Sequence, residues 1–269
     1  MPEQVSQGVY MLEVERCGKA QKGFTLIEMS IVLIIIGLII GGILKGQELI
    51  NSSRQKNLIT NIDATRAAIA SFADRFQATP GDFSLASTRL VASIGNGNGN
   101  GVVGAGAANV AGMDALLGVG ATAVGATAAG EAEAQLFWCH LTAANLIGSS
   151  STDCTAAATV FGGGSPLPAA SYPNTGFTVA YGTHEIDPLR TLWLRVHRGP
   201  GAALTTAGSD AFSSKVMGEI DAKYDDGLPA RGTIRAASGD TTCPVTAVTS
   251  VYTALSEVID CKMYVDLIQ

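Results

Sequence analysis

Charge is scarce in this chain. Only 15% of its 269 residues are Asp, Glu, Lys or Arg, and no basic run exceeds two residues. The formal net charge is −6. A net acidic chain without clustered cations lacks the electrostatic footprint of a nucleic-acid or acidic-lipid binder. The P-loop pattern GxxxxGK[ST], the zinc-protease pattern HExxH and the GxSxG nucleophile elbow are all absent. The three histidines, His140, His184 and His197, are scattered, and none of the five cysteines forms a CxxC. These absences argue against an enzyme, and no cofactor is expected.

A second scarcity is local. Between Phe24 and Leu44 the one ionisable residue is Glu28, and Lys45 closes the run. At about 1.5 Å per residue a helix over 24–44 spans about 30 Å, the thickness of bilayer hydrocarbon. Arg16, Lys19 and Lys22 precede it, so the positive-inside bias places the N-terminus in the cytoplasm and the chain beyond Lys45 outside. The run is too long for an ordinary secretory signal, and no small-residue cleavage site comes after it. The cysteines agree with that topology. Cys17 precedes the span, whereas Cys139, Cys154, Cys243 and Cys261 all lie beyond it. An even number in an exported domain points to two disulfides. Three pairings are open; short local closures favour Cys139–Cys154 and Cys243–Cys261, and four reduced, buried thiols are the alternative.

Glu28 is the residue to explain. A charge at the centre of a membrane helix costs roughly 2.5–3.5 kcal/mol on insertion scales. One solution is to snorkel to the interface. Its surroundings supply another. "KGFTLIE" (22–28), followed by about sixteen apolar residues, resembles the N-terminal signature of type IV pilins and of the pseudopilins of type II secretion: a basic leader, Gly, Phe, then Glu four residues on. The resemblance is close over residues 19–50. It implies that prepilin peptidase, a membrane enzyme, cuts between Gly23 and Phe24 and methylates the new N-terminus on Phe24. Residues 1–23 would be the leader, with Met11 as an alternative start. The cut creates a cationic amine, and in the family an adjacent subunit's amine is thought to pair with the carboxylate, which makes Glu28 an assembly residue. Gly37–Gly41 and Gly42–Gly46 form two GxxxG patterns that permit close helix packing. Many members carry a proline in this segment; here none occurs between Phe24 and Thr79.

Beyond the span, Leu58, Ile62, Ile69, Phe72 and Phe76 recur at helical steps, with Thr65 filling the gap, and Pro80–Gly81 end the pattern. The predicted helix runs from Phe24 to about Gln77, its second half covering a sheet. "GNGNGNG" (95–101) is a flexible polar loop by default; a sharper reading makes Asn96, Asn98 and Asn100 calcium ligands. "GEAEAQLFWCHLTAANLIG" (130–148) predicts a short helix stopped by Gly148, with His140 packed beside its apolar face. "TGFTVAYG", "RTLWLRVHRG", "GTIRAAS" and "KMYVDLIQ" predict strands. Phe212, Val216, Ile220 and Tyr224 suggest a helix, closed by a turn at "DDGLP", where Asp225 and Asp226 lie. The order Pro-Gly-Asp, Asn/Gly run, Glu-rich helix with Phe-Trp, Asp-Asp-Gly-x-Pro also resembles that of some uncharacterised pseudopilin-like proteins.

The expected fold class is α+β: a long N-terminal helix, membrane-spanning in its first half, packed against a C-terminal antiparallel β-sheet domain with extra short helices and Gly-rich loops. The expected divisions are leader 1–23, helix 24–77 and globular part 78–269. The resemblance implies a filament subunit with prepilin peptidase, other pilin or pseudopilin subunits and an inner-membrane assembly platform as partners. It would be a single-pass inner-membrane protein that ends in a periplasmic or extracellular filament. An unassembled, membrane-tethered binding domain is the competing expectation.

Overall fold

The computed structural model describes residues 23–104, 129–148, 161–162, 165–183, 190–198, 210–238, 251–252 and 259–268. The chain divides into two compact units, residues 1–50 and 51–269. One helix, α1 (Leu26–Phe76), contributes to both.

In the first unit the apolar face of α1 is uncovered among the described residues. Every large apolar side chain from Phe24 to Ile50 is exposed, Leu26 at 93%. Such a surface in water would aggregate, and a helix this long and apolar can cross a membrane. Gly37, Gly41, Gly42 and Gly46 have nothing within 4 Å of a would-be Cβ, so their faces are open to close approach.

In the second unit the same helix becomes amphipathic. Leu58, Ile62, Thr65, Ile69 and Phe72 are buried, and Phe76 is partly buried, which is the stripe expected from the spacing. Each such aliphatic or aromatic side chain contributes roughly 1.5–3 kcal/mol on burial. The helix stops at Phe76 with Gln77 in the left-handed region (φ 52°), three residues ahead of Pro80. Phe72 and Phe76 then pack on Phe83 with ring centroids 5.8 and 5.5 Å away, folding the chain back over its own helix end. A single helical turn comes next, α2 (Ala86–Arg89).

Among the described residues the sheet has five strands, all neighbours antiparallel: β1 (Thr175–Thr183), β2 (Arg190–Arg198), β3 (Phe212–Ser213), β4 (Ile234–Ser238) and β5 (Ile259–Asp266). β5 is central. β4 runs along one edge, while β2 and then β3 share the other. Side-chain alternation sorts the faces. Val179, Leu194, Val196, Met263, Val265, Ile234 and Ala236 enter the core with the buried stripe of α1. Trp193, Arg195 and Tyr264 point the other way and are also buried. There the Arg195 guanidinium lies 5.8 Å from the Tyr264 ring, and that of Arg235 lies 5.1 Å from Trp193. The fold is therefore α+β, with a long N-terminal helix and an antiparallel sheet.

Three helices differ in their bounds from the sequence expectation. α1 begins at Leu26 and not at Phe24, which leaves residues 23–25 non-helical. α3 (Ala129–Ala143) ends earlier than Gly148. Asn145 takes the left-handed conformation (φ 56°), and the Leu146 amide donates to the Leu141 carbonyl at 3.0 Å, so an asparagine supplies the stop foreseen at the glycine. α4 (Ser214–Tyr224) starts two residues after Phe212. Ser213 is its N-cap, with its hydroxyl accepting from the Val216 amide, and Phe212 pairs with Cys261 as part of β3. Cys139 and Cys261 are fully buried and each is in a disulfide. Cys17, Cys154, Cys243 and His184 lie outside the described residues.

Candidate functional site

The N-terminal segment is built by one local device. Gly23, Phe24 and Thr25 precede α1, and the first helical hydrogen bond runs from the Met29 amide to the Thr25 carbonyl at 3.3 Å. Thr25 is thus the N-cap. Its hydroxyl accepts from the Glu28 amide at 3.3 Å. In return Glu28 Oε2 accepts from the Thr25 amide at 2.8 Å and from the Thr25 hydroxyl at 2.8 Å. This reciprocal T-x-x-E arrangement is a capping box, and it satisfies two donors that a helix start otherwise leaves unpaired. The sequence expectation for Glu28 concerned a partner in another subunit; the local role was missed, although Thr three residues before Glu is its signature. At the far end of the apolar run, Lys45 pairs with Glu48 at 2.7 Å on the exposed surface.

A second polar centre lies in the globular unit. Here Asp82, Glu133 and His140 are 6%, 1% and 0% exposed. They come from the Pro-Gly-Asp turn and from α3, and they hold the loop 95–104. Asp82 accepts from the amides of Asn100 (2.9 Å) and Gly101 (2.8 Å), one on each carboxylate oxygen. Glu133 likewise accepts from Asn98 (3.0 Å) and Gly104 (3.3 Å). Burial pushes the Glu133 carboxyl above the usual carboxylate range, partly offset by those two amides. His140 Nδ1 accepts from the Gly81 amide at 2.9 Å, which leaves Nε2 to carry the proton and donate to the Gly95 carbonyl at 3.0 Å. Burial holds that imidazole below its ordinary value, so it is neutral at pH 7. His140 is thereby a fully buried bridge between two backbone segments.

The asparagines of the loop are used locally. Asn96 Oδ1 accepts from the Ser87 amide, Asn98 Oδ1 from Asn100 and Asn100 Oδ1 from Val102, all within 2.8–2.9 Å. Gly97 passes so close to the 81–82 backbone that a Cβ there would lie 2.3 Å from the Gly81 carbonyl oxygen. The loop is then tied to the sheet, because the Tyr181 amide donates to the Val103 carbonyl at 2.8 Å. Sequence reasoning noted Asp82 and the Glu-rich helix as neighbours in order, not as the acceptors of this loop. Their signal was a run rich in backbone donors flanked by two carboxylates.

Asp221, Asp225 and Asp226 place carboxylate oxygens within 4.8 Å of one another, a spacing a cation can bridge. Each already accepts a hydrogen bond: Asp221 from Tyr252 Oη (2.9 Å) and Gly227 (3.3 Å), Asp225 from Ile234 (2.7 Å), and Asp226 from Leu228 (2.9 Å). Fully buried, Asp221 is raised to about 7, by desolvation first and then by its acidic neighbours. The Asp225–Pro229 stretch forms the expected turn, with Gly227 at φ 76°.

Comparison with known proteins bears on the N-terminal segment. No curated protein and no solved structure matched the chain. Residues 18–44 match the family model described as the prokaryotic N-terminal methylation motif. That stretch contains Gly23, Phe24, the Thr25–Glu28 capping box and the exposed apolar half of α1. In residues 18–44, this chain carries the N-terminal signature of the type IV pilins and pseudopilins.

Proposed function

We propose that the chain is a structural subunit of a type IV pilus or pseudopilus, processed between Gly23 and Phe24, methylated on Phe24 and polymerised through the apolar half of α1. The observation that carries this reading is the methylation motif at residues 18–44, lying on a helix whose apolar surface is wholly exposed up to Ile50. A surface of that kind needs lipid first and neighbouring helices later, and packing between helices supplies the cohesion of a filament. The glycines at 37, 41, 42 and 46 leave room for such approach. In the assembled state the Phe24 amine of one subunit neutralises Glu28 of the next. The partners are then prepilin peptidase, other subunits and an inner-membrane assembly platform. The globular unit faces the periplasm or the exterior, where disulfides Cys139–Cys154 and Cys243–Cys261 persist. No catalytic role is assigned to it, and the 95–104 loop acts as a structural element held by Asp82 and Glu133.

Intact mass and N-terminal sequence of the chain from its native membranes test this. A chain that begins at N-methylated Phe24 supports the reading. A chain that keeps its leader in cells with active prepilin peptidase defeats it and favours a tethered domain.

A further inference from the structure

We propose that Thr25 is a positioning residue for the processing step: by capping α1 it keeps the scissile Gly23–Phe24 bond out of the helix and open to the peptidase. This rests on the filament-subunit reading above. Hydrolysis adds water across the Gly23 carbonyl carbon and the Phe24 nitrogen, leaving a carboxylate on Gly23 and an amine on Phe24. A peptidase needs that carbonyl unengaged and the backbone around it extended.

In an uninterrupted helix neither condition holds. The Ile27 amide would take the Gly23 carbonyl, and the Glu28 amide would take that of Phe24. Within lipid the tendency is strong, because backbone donors have no water to turn to. The capping box diverts this pattern. The Glu28 amide bonds the Thr25 hydroxyl at 3.3 Å, and Glu28 Oε2 returns to the Thr25 amide at 2.8 Å. The ladder therefore begins at the Thr25 carbonyl, and Gly23 and Phe24 remain non-helical. Nothing lies within 4 Å of a would-be Cβ at Gly23, so the segment is also sterically open. These residues lie inside the methylation motif matched at residues 18–44, and on the filament-subunit reading they are where processing occurs.

The test uses the full-length chain in phospholipid vesicles with purified prepilin peptidase, and reads cleavage rate by mass. Thr25→Val keeps the shape and removes the hydroxyl. Thr25→Ser and Thr25→Asn keep a capping oxygen, and Asn also changes the shape. Loss of a cap shifts a helix-boundary equilibrium by about fivefold. The expected result is a Val variant cut about fivefold more slowly, with Ser and Asn variants near wild type. In the Val variant alone, carbonyl carbon shifts at Gly23 and Phe24 should move toward helical values. Cleavage of Val at the wild-type rate or faster overturns the capping role. So does a ranking by shape, with Val fast and Asn slow. A wild-type chain left uncut overturns the filament-subunit reading itself, and this inference with it.

Discussion

Asparagine in place of Asp82 should loosen two amides of the 95–104 loop and leave their neighbours alone. Asp82 accepts one backbone amide on each carboxylate oxygen, from Asn100 at 2.9 Å and Gly101 at 2.8 Å. A hydrogen bond to a charged acceptor contributes roughly 1.5–3 kcal/mol, and one between neutral groups roughly 0.5–1.5 kcal/mol. Asp82→Asn keeps one neutral acceptor and turns an amide donor toward the other N–H. Asn100 and Gly101 are exposed, and the Asn100 amide also reaches Asn98 Oδ1 at 2.9 Å, so water and that second acceptor recover part of the loss, more at Asn100 than at Gly101. The net cost is then about 2 kcal/mol, or about a 30-fold loss of protection for the two amides. Native-state hydrogen exchange at pH 7 on the full chain in detergent measures this residue by residue. Gly97 and Gly99 supply the internal control, because their amides donate to the carbonyls of Phe83 and Asp82 at 3.0 and 3.1 Å. Glu133→Gln supplies the reciprocal case, moving Asn98 and Gly104 instead. Unchanged protection at Asn100 and Gly101, or equal loss throughout the loop, would refute the assignment of acceptors.

Gly97→Ala should destabilise the globular unit by about 3 kcal/mol, near the upper end for overpacking, because its Cβ meets rigid backbone at 2.3 Å. Gly101→Ala, in open space at φ 83°, should cost only about 1 kcal/mol, and chemical denaturation of the two variants compares them. Asp221 gives a pH prediction with a definite sign. Its folded value is raised from 3.8 to about 7, so between those limits the folded state holds a proton that the unfolded state has released. Stability therefore falls as pH rises from about 4 through about 7. Asp221→Asn removes that slope, so the variant should gain on wild type between pH 4 and pH 8 in denaturant melts. Parallel profiles would overturn this.

What sequence could supply differs by element in a physical way. The buried stripe of α1 was legible because Leu58, Ile62, Ile69 and Phe72 repeat with the helical period, and that period is set by the core they enter. β1, β2, β4 and β5 were legible from runs of β-branched and aromatic residues. Phe212 was misread because it continues the spacing of Val216, Ile220 and Tyr224 backward; the hydroxyl of Ser213 breaks that continuity, and caps interrupt a pattern without altering its hydrophobicity. The loop network is a harder case. Glu133 and Asn98 lie 35 residues apart, and their bond depends on how α3 returns to the Pro-Gly-Asp turn. Local composition shows the donor-rich run and its flanking carboxylates, but not the return that joins them. At the N-terminus the opposite holds: Thr25 and Glu28 are three residues apart, so both the signature and its geometry are local.

That geometry bears on how one carboxylate can serve two purposes. Both local bonds of Glu28 fall on Oε2. Oε1 accepts no hydrogen bond among the described residues, so on the filament reading it is the oxygen left for a neighbour's amine. Capping and pairing between subunits would then be compatible, and a single substitution should separate them. Glu28→Gln keeps a neutral carbonyl oxygen for the Thr25 amide and removes the negative charge. Cap energies survive such a change largely intact, since Gln serves in capping boxes as Glu does. An amine buried in lipid without a counter-charge does not survive it, because breaking a buried pair costs about 3–5 kcal/mol. Glu28→Gln should therefore be cleaved at close to the wild-type rate and yet fail to enter filaments, as read by mass of the membrane-bound chain and by electron microscopy of assembled fibres. Cleavage and assembly lost together would place both functions on the charge. Filaments formed normally would show that the amine finds its partner elsewhere.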